Sequence, residues 1–131
     1  MVMPDSLREA LPHCTREELR RKIEEGAPIV LVDALSPTSY AHSHLPGAIN
    51  LPPELVDDFA TLRIPDRSAE VIVYCASVDC DSSVDTARKL LALGFTNVRH
   101  YEGGKRDWIE ASLPVEGGAR RRARARQIKQ L

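Results

Sequence analysis

The stretch Val71-Ile72-Val73-Tyr74-Cys75-Ala76-Ser77-Val78-Asp79-Cys80-Asp81-Ser82 decides the architecture of this chain. Its first four residues are apolar and mostly β-branched, the pattern of a strand covered on both faces. Cys75 to Ser82 is small and polar, hence a loop. From Ser83 to Leu93 the apolar period turns helical, with Val84, Ala87, Leu90 and Leu91 on the inner side and Gly94 as the stop. A buried strand feeding a helix through a short loop is half of a parallel βαβ unit.

The same alternation continues in both directions. On the amino side, Thr15-Arg16-Glu17-Glu18 is a capping box: Thr15 can accept from a first-turn N–H while Glu18 reaches back. The helix it opens ends at Gly26. Ile29 to Val32 is a second two-faced strand, closed by Asp33. Ser36-Pro37 starts a short helix, Ala48 to Leu51 is a short strand, and Glu54 to Leu62 is weakly helical. On the carboxyl side, Asn97 to His100 forms a further strand, and Lys105 to Glu110 a short helix carrying Trp108. Strands alternating with helices specify an α/β domain with a mainly parallel sheet.

Composition agrees. At 131 residues, 43% hydrophobic, the chain suits one domain with its own core. No run approaches the length that spans a bilayer, and the first residues lack the basic-then-apolar order of a signal peptide. Three cysteines, an odd number, fit a reducing, cytoplasmic setting in which thiols are kept for chemistry or packing. Net charge is −1 but uneven: six of the 18 basic residues lie in 119–131, leaving 12 against 19 acidic ones in the body. The expected division is an N-terminal segment 1–14, a domain 15–117 and a basic, flexible tail 118–131. The tail has no interleaved aromatic residue to stack on bases, so nucleic acid is not the expected partner. A monomer or dimer is expected.

Chemistry is expected where β-rich Val71–Tyr74 ends. In open α/β sheets ligands bind outside the carboxyl ends of strands. There a cysteine meets loop N–H groups and the positive end of a helix dipole, which favour the thiolate. Position alone leaves Cys75 either a reactive thiol or a small hydrophobe ending a strand.

Two groups of residues bear a family likeness. One is Leu31-Val32-Asp33 followed by Tyr40-Ala41-His42-Ser43-His44-Leu45-Pro46-Gly47-Ala48-Ile49-Asn50-Leu51-Pro52. The other is Val73-Tyr74-Cys75, then Leu90-Leu91-Ala92-Leu93-Gly94-Phe95, Val98, Glu102-Gly103-Gly104, Trp108 and Leu113-Pro114-Val115. In this order and spacing the chain resembles the rhodanese-like sulfurtransferases, from about Thr15 to about Gly117. The resemblance implies a five-stranded, mainly parallel sheet flanked by helices, with Cys75 as the sulfur-carrying nucleophile. The thiolate would take the outer sulfur of a donor, become a persulfide and pass it to a thiophile. No cofactor or metal is implied. The partners would be a small sulfur-containing donor and a thiol acceptor, a protein thiol included. Ala76, Ser77, Val78, Asp79, Asp81 and Ser82 would supply the loop that cradles the persulfide. Asp33 and His44 are structural residues near the site, His44 bonding nearby backbone.

The chain departs from the family pattern in its loop, which is longer and has no Arg or Lys from Cys75 to Thr86, carrying Asp79, Asp81 and then Asp85 instead. A dianion such as thiosulfate should bind poorly there, so weak thiosulfate:cyanide activity is expected. Arg99, Lys105 and Arg106 are the candidates to supply the missing charge. The same absence of a clamping Arg argues against phosphoryl chemistry. Cys80, five residues after Cys75, is either a resolving thiol or a residue packed under the loop, and Asp79 and Asp81 should raise its pKa. No second spaced pair exists to complete a zinc site, and Cys14 is read as a packing residue. The alternative to catalysis is a binding or redox-sensing module using the Cys75/Cys80 pair.

Overall fold

The computed structural model describes residues 8–118. Residues 1–7 and 119–131, and so nearly all of the basic tail, lie outside them. Thr15 caps the first helix, α1 (Arg16–Glu24), its Oγ1 accepting from the Glu18 N–H at 3.1 Å. Only half of the capping box forms, because the Glu18 carboxylate is drawn away to the Arg99 guanidinium, at 2.6 and 2.9 Å. Then follow β1 (Ile29–Asp33), α2 (Pro37–His42), β2 (Ile49–Asn50), α3 (Pro53–Arg63), β3 (Glu70–Tyr74), α4 (Ser82–Ala92), β4 (Val98–His100) and α5 (Gly104–Glu110). The Ser36 hydroxyl caps α2 by accepting from Ser39 N–H at 3.2 Å.

The strands form one parallel sheet in the order β2-β1-β3-β4. The fifth expected strand is reduced to a single bridge, His13 pairing parallel with His100 on the outer edge of β4. Residues 8–14 thus lie on the domain rather than apart from it, with Leu11 buried in its core.

Strand alternation sorts the core into two layers. Val71, Val73 and Cys75 face the side covered by Val56 and Ala60 of α3 and Ala87 and Leu90 of α4. Ile72 and Tyr74 face the side covered by Leu19 of α1 and Trp108 of α5. Each fully buried Val, Leu or Ile contributes roughly 1.5–3 kcal/mol, which makes the central strand β3, buried on both faces, the firmest platform in the molecule. Leu91, expected inward on α4, is 40% exposed. Thr86 is buried instead, and its hydroxyl donates to the Leu51 carbonyl at 3.0 Å. Among the described residues no helix is long and apolar enough to cross a membrane.

Candidate active site

Cys75 follows the last residue of β3 and keeps the parity of Val71 and Val73. Its thiol therefore points toward α4, not toward α5. In register, Val73 sits opposite His100, and His100 shares the facing of Val98 on β4. Two strand parities thus direct Cys75 and His100 at the first turn of α4, where Ser83 is waiting. The Cys75 Sγ is 3.1 Å from Ser83 Oγ, and Ser83 Oγ is 2.8 Å from His100 Nε2. All three residues are buried, at 2%, 0% and 1% exposure.

The loop curls back so that Cys80 meets Cys75. Cys75 Sγ lies 3.3 Å from the Cys80 carbonyl oxygen, and the Cys80 thiol is near enough to raise the Cys75 pKa. Both are free, and Cys80 is partly exposed above its buried neighbour. The base of the loop is fixed from α5: Lys105 N–H donates to the Cys75 carbonyl at 2.9 Å, and Arg106 N–H to that of Ala76 at 2.8 Å.

The expected cradle is redistributed. The N–H groups of Ala76 and Ser82 serve the sulfur of Cys80, and the Ser83 N–H serves that of Cys75. The Asp79 N–H is turned to the Ser77 hydroxyl at 3.4 Å. Burial pushes the Cys75 thiol up to about 11, its bond to Cys80 adding to the rise while Ser83 opposes it. Burial also acts upward on Cys80, but hydrogen bonds from Cys75, Ala76 and Ser82 outweigh it and hold this thiol below its ordinary value. That reverses the order expected from Asp79 and Asp81: the short N–H and S–H contacts reach the sulfur directly, and those carboxylates are not among its main influences.

Of the three residues expected to bring positive charge to the loop, only Arg106 lies beside it, on the groove lined by Ser77, Val78 and Asp79. Arg99, in register with Ile72, alternates to the opposite side of β4 from His100 and pairs with Glu18 and, at 2.8 Å, with Glu70, which opens β3. Lys105 Nζ is committed to Ser43 O at 2.6 Å and to Ser39. Arg106 pairs with Glu110 at 3.2 Å. The cation bonded to the loop itself is Arg8, whose Nη2 donates to the Cys80 carbonyl at 3.0 Å and to Asp81 Oδ1 at 2.7 Å. No local pattern could reveal it, since 72 residues separate Arg8 from Cys80. His100 carries a signal in the sequence, its shared parity with Val98.

Asp33, fully buried, accepts from Tyr74 Oη at 2.7 Å and from Leu35 N–H at 2.8 Å. His44 stacks on Tyr40 at 3.8 Å, its Nδ1 lying 2.7 Å from the Tyr40 carbonyl. Neither has a hydrogen bond to Cys75. Between the loop and α5, Ser77, Val78 and Asp79 face Gly103, Arg106, Asp107 and Glu110 across a groove of ≈ 240 Å³. Among the described residues no cluster of three or more His, Cys, Asp or Glu could hold a metal ion.

Burial and the neighbouring Arg8 guanidinium press the His100 pKa down to about 4 from an ordinary 6.5. The folded chain thus refuses a proton that the unfolded chain accepts between those values, and stability falls as pH falls through this window. Lowering pH from 7 to 4.5 should cost wild type on the order of 2–3 kcal/mol more than His100→Gln in urea unfolding. Equal losses in the two proteins would refute the assignment.

Comparison with known proteins identifies the family. The family model for the rhodanese-like domain matches residues 15–111. The chain belongs to the rhodanese-like family. It is 38% identical over 106 residues to the HTH-type transcriptional regulator Rv0324 of Mycobacterium tuberculosis, a match spanning 80% of this chain and 45% of that protein. The chain therefore corresponds to less than half of that regulator. It is 37% identical over 99 residues to the thiosulfate sulfurtransferase GlpE of Pseudomonas putida, covering 76% of this chain and 82% of GlpE. The crystal structure of the BH2092 protein from Bacillus halodurans superposes with a TM-score of 0.78 at 26% identity, over 86% of this chain and 82% of that one.

Proposed function

We propose that the protein is a sulfurtransferase that carries sulfane sulfur as a Cys75 persulfide and delivers it to a thiol. The observation that carries this reading is Cys75 itself, placed at the end of β3 with the Ser83 hydroxyl and N–H on its sulfur and a second thiol in contact. Membership of the family and the likeness to GlpE support it.

In the first step Cys75 reacts as its thiolate, its proton passing to water, and its sulfur attacks the outer sulfur of the donor. The donor's S–S bond breaks and the remainder leaves with the electron pair, as sulfite from thiosulfate or as a thiolate from a persulfide. In the second step an acceptor thiolate attacks the outer sulfur, takes it as a new persulfide and returns Cys75 as the thiolate. Two half-reactions through one covalent intermediate give ping-pong kinetics. Because Cys75 is 2% exposed, the loop must open for each half-reaction, and Cys80 stands at the entrance. Arg8 is bonded to Asp81 and to the Cys80 carbonyl, so the loop offers a dianion little uncompensated positive charge. Thiosulfate is for that reason a poor donor, and a singly charged persulfide a better one.

Intact mass tests this reading. Glutathione persulfide should change the mass of wild type and leave Cys75→Ser unchanged, and thiosulfate should act about tenfold more slowly or worse. A mass change in Cys75→Ser equal to that of wild type would overturn the assignment.

The contact between the two thiols favours a second reading, a redox-sensing module. Its mark would be loss of about 2 Da on exposure to peroxide, together with no sulfur uptake from any donor.

A further inference from the structure

We propose that His100, acting through Ser83, is a positioning residue that holds Cys75 ready to carry negative charge. The inference rests on the sulfur-transfer reading only in naming Cys75 as the reacting thiol.

The argument starts from a nitrogen that has no partner. His100 Nδ1 is buried and makes no hydrogen bond, while Nε2 lies 2.8 Å from Ser83 Oγ. Neutral imidazole carries its proton on one of the two nitrogens. On Nδ1 it would be a buried donor with nothing to receive it, the rarer and costlier kind of orphan. On Nε2 it donates to Ser83, and only a lone pair is left idle. The Ser83 oxygen then accepts from His100, and its own proton is free to turn along the 3.1 Å contact to Cys75 Sγ. The chain of donation runs His100 to Ser83 to sulfur, and each bond polarises the next.

The direction of that chain is what matters chemically. A hydroxyl pointed at sulfur stabilises a thiolate or an anionic persulfide and gives nothing to a neutral thiol. Without His100 the hydroxyl is free to turn to another acceptor. The charged and titratable groups around the chain are Arg8 and His13 on the N-terminal segment, Glu102 after β4, and Cys80 in the loop. Arg8 and burial both disfavour a second proton on His100, which keeps it a neutral single donor.

The test needs no sulfur donor, so its failure is separable from failure of the proposed activity. In a Cys80→Ala background, the rate of Cys75 alkylation by iodoacetamide is followed against pH, with peptide mapping to set Cys14 aside. His100→Leu and Ser83→Ala should each move the alkylation profile upward by about one pH unit, a tenfold slower reaction below it. His100→Gln places an amide N–H where Nε2–H was and should stay within about threefold of its parent. In Ser83→Ala, adding His100→Leu should change nothing further, the signature of one residue acting through another. Profiles that do not move, that move downward, or that move as much in His100→Gln as in His100→Leu would overturn the proposal. Should His100→Leu fail to fold, the Ser83→Ala and His100→Gln profiles decide it by the same criteria.

Discussion

Cys80→Ser should retain the sulfur that the wild-type chain expels. Given glutathione persulfide, the variant gains about 32 Da and keeps it, whereas wild type ends about 2 Da lighter and releases one sulfide per chain. The reasoning starts from contact. The Cys75 thiol donates to the Cys80 carbonyl at 3.3 Å, and the N–H groups of Ala76 and Ser82 help hold the Cys80 thiol below its ordinary range. Once Cys75 bears the extra sulfur, the Cys80 thiolate is already beside the Cys75 Sγ. Attack there forms the Cys75–Cys80 bond, breaks the persulfide bond, and sends hydrosulfide away with the electron pair. An external thiol reductant then returns the disulfide to two thiols. Serine cannot make that attack, and an alkoxide in its place is far too basic to form. Intact mass and a sulfide assay read both halves of the result. A wild-type chain that keeps the added sulfur as long as Cys80→Ser does would show that Cys80 only packs under the loop.

The contrast between Cys75 and Arg8 shows which parts of the site the sequence could disclose. Cys75 was legible because everything that places it is local: an apolar run to Tyr74, small polar residues, then a helix that starts at Ser82, one residue from where its pattern suggested. The parallel sheet was legible for the same reason. His100 was half legible. Its strand was evident, but its partner Ser83 lies 17 residues away, and only the register between β3 and β4 joins them. Arg8 was not legible at all, because a segment without periodicity delivers it across the sheet edge to Asp81. Arg99 misled for the complementary reason. It is close in sequence to the right edge, but on a strand its side chain alternates away from His100, toward Glu18 and Glu70. The acidity of Cys80 was misjudged because charge can be counted along a sequence, whereas the direction of an N–H group cannot.

Gly104→Ala should be among the most damaging single substitutions in the chain, although it adds one methyl group. Gly104 opens α5 with φ +72°, a region in which a side chain costs about 1–2 kcal/mol. A Cβ there would stand 2.5 Å from the Cys75 carbonyl oxygen and 2.9 Å from the Ala76 carbonyl carbon. These are backbone atoms, and no rotamer can carry them aside. The loop base must shift, and the Lys105 and Arg106 N–H groups then lose the carbonyls of Cys75 and Ala76, at about 1 kcal/mol each. Gly47→Ala is the control: φ is +78°, but a Cβ there meets nothing within 4 Å, so only the conformational cost applies. Urea unfolding should therefore show Gly47→Ala destabilised by about 1–2 kcal/mol and Gly104→Ala by about 3 or more. Sulfur loading of Gly104→Ala should fall at least about tenfold, because the displaced carbonyl belongs to Cys75, the proposed nucleophile. Equal stability of the two variants would mean that α5 can withdraw from the loop without cost, and that the close approach at Gly104 is not what fixes Cys75.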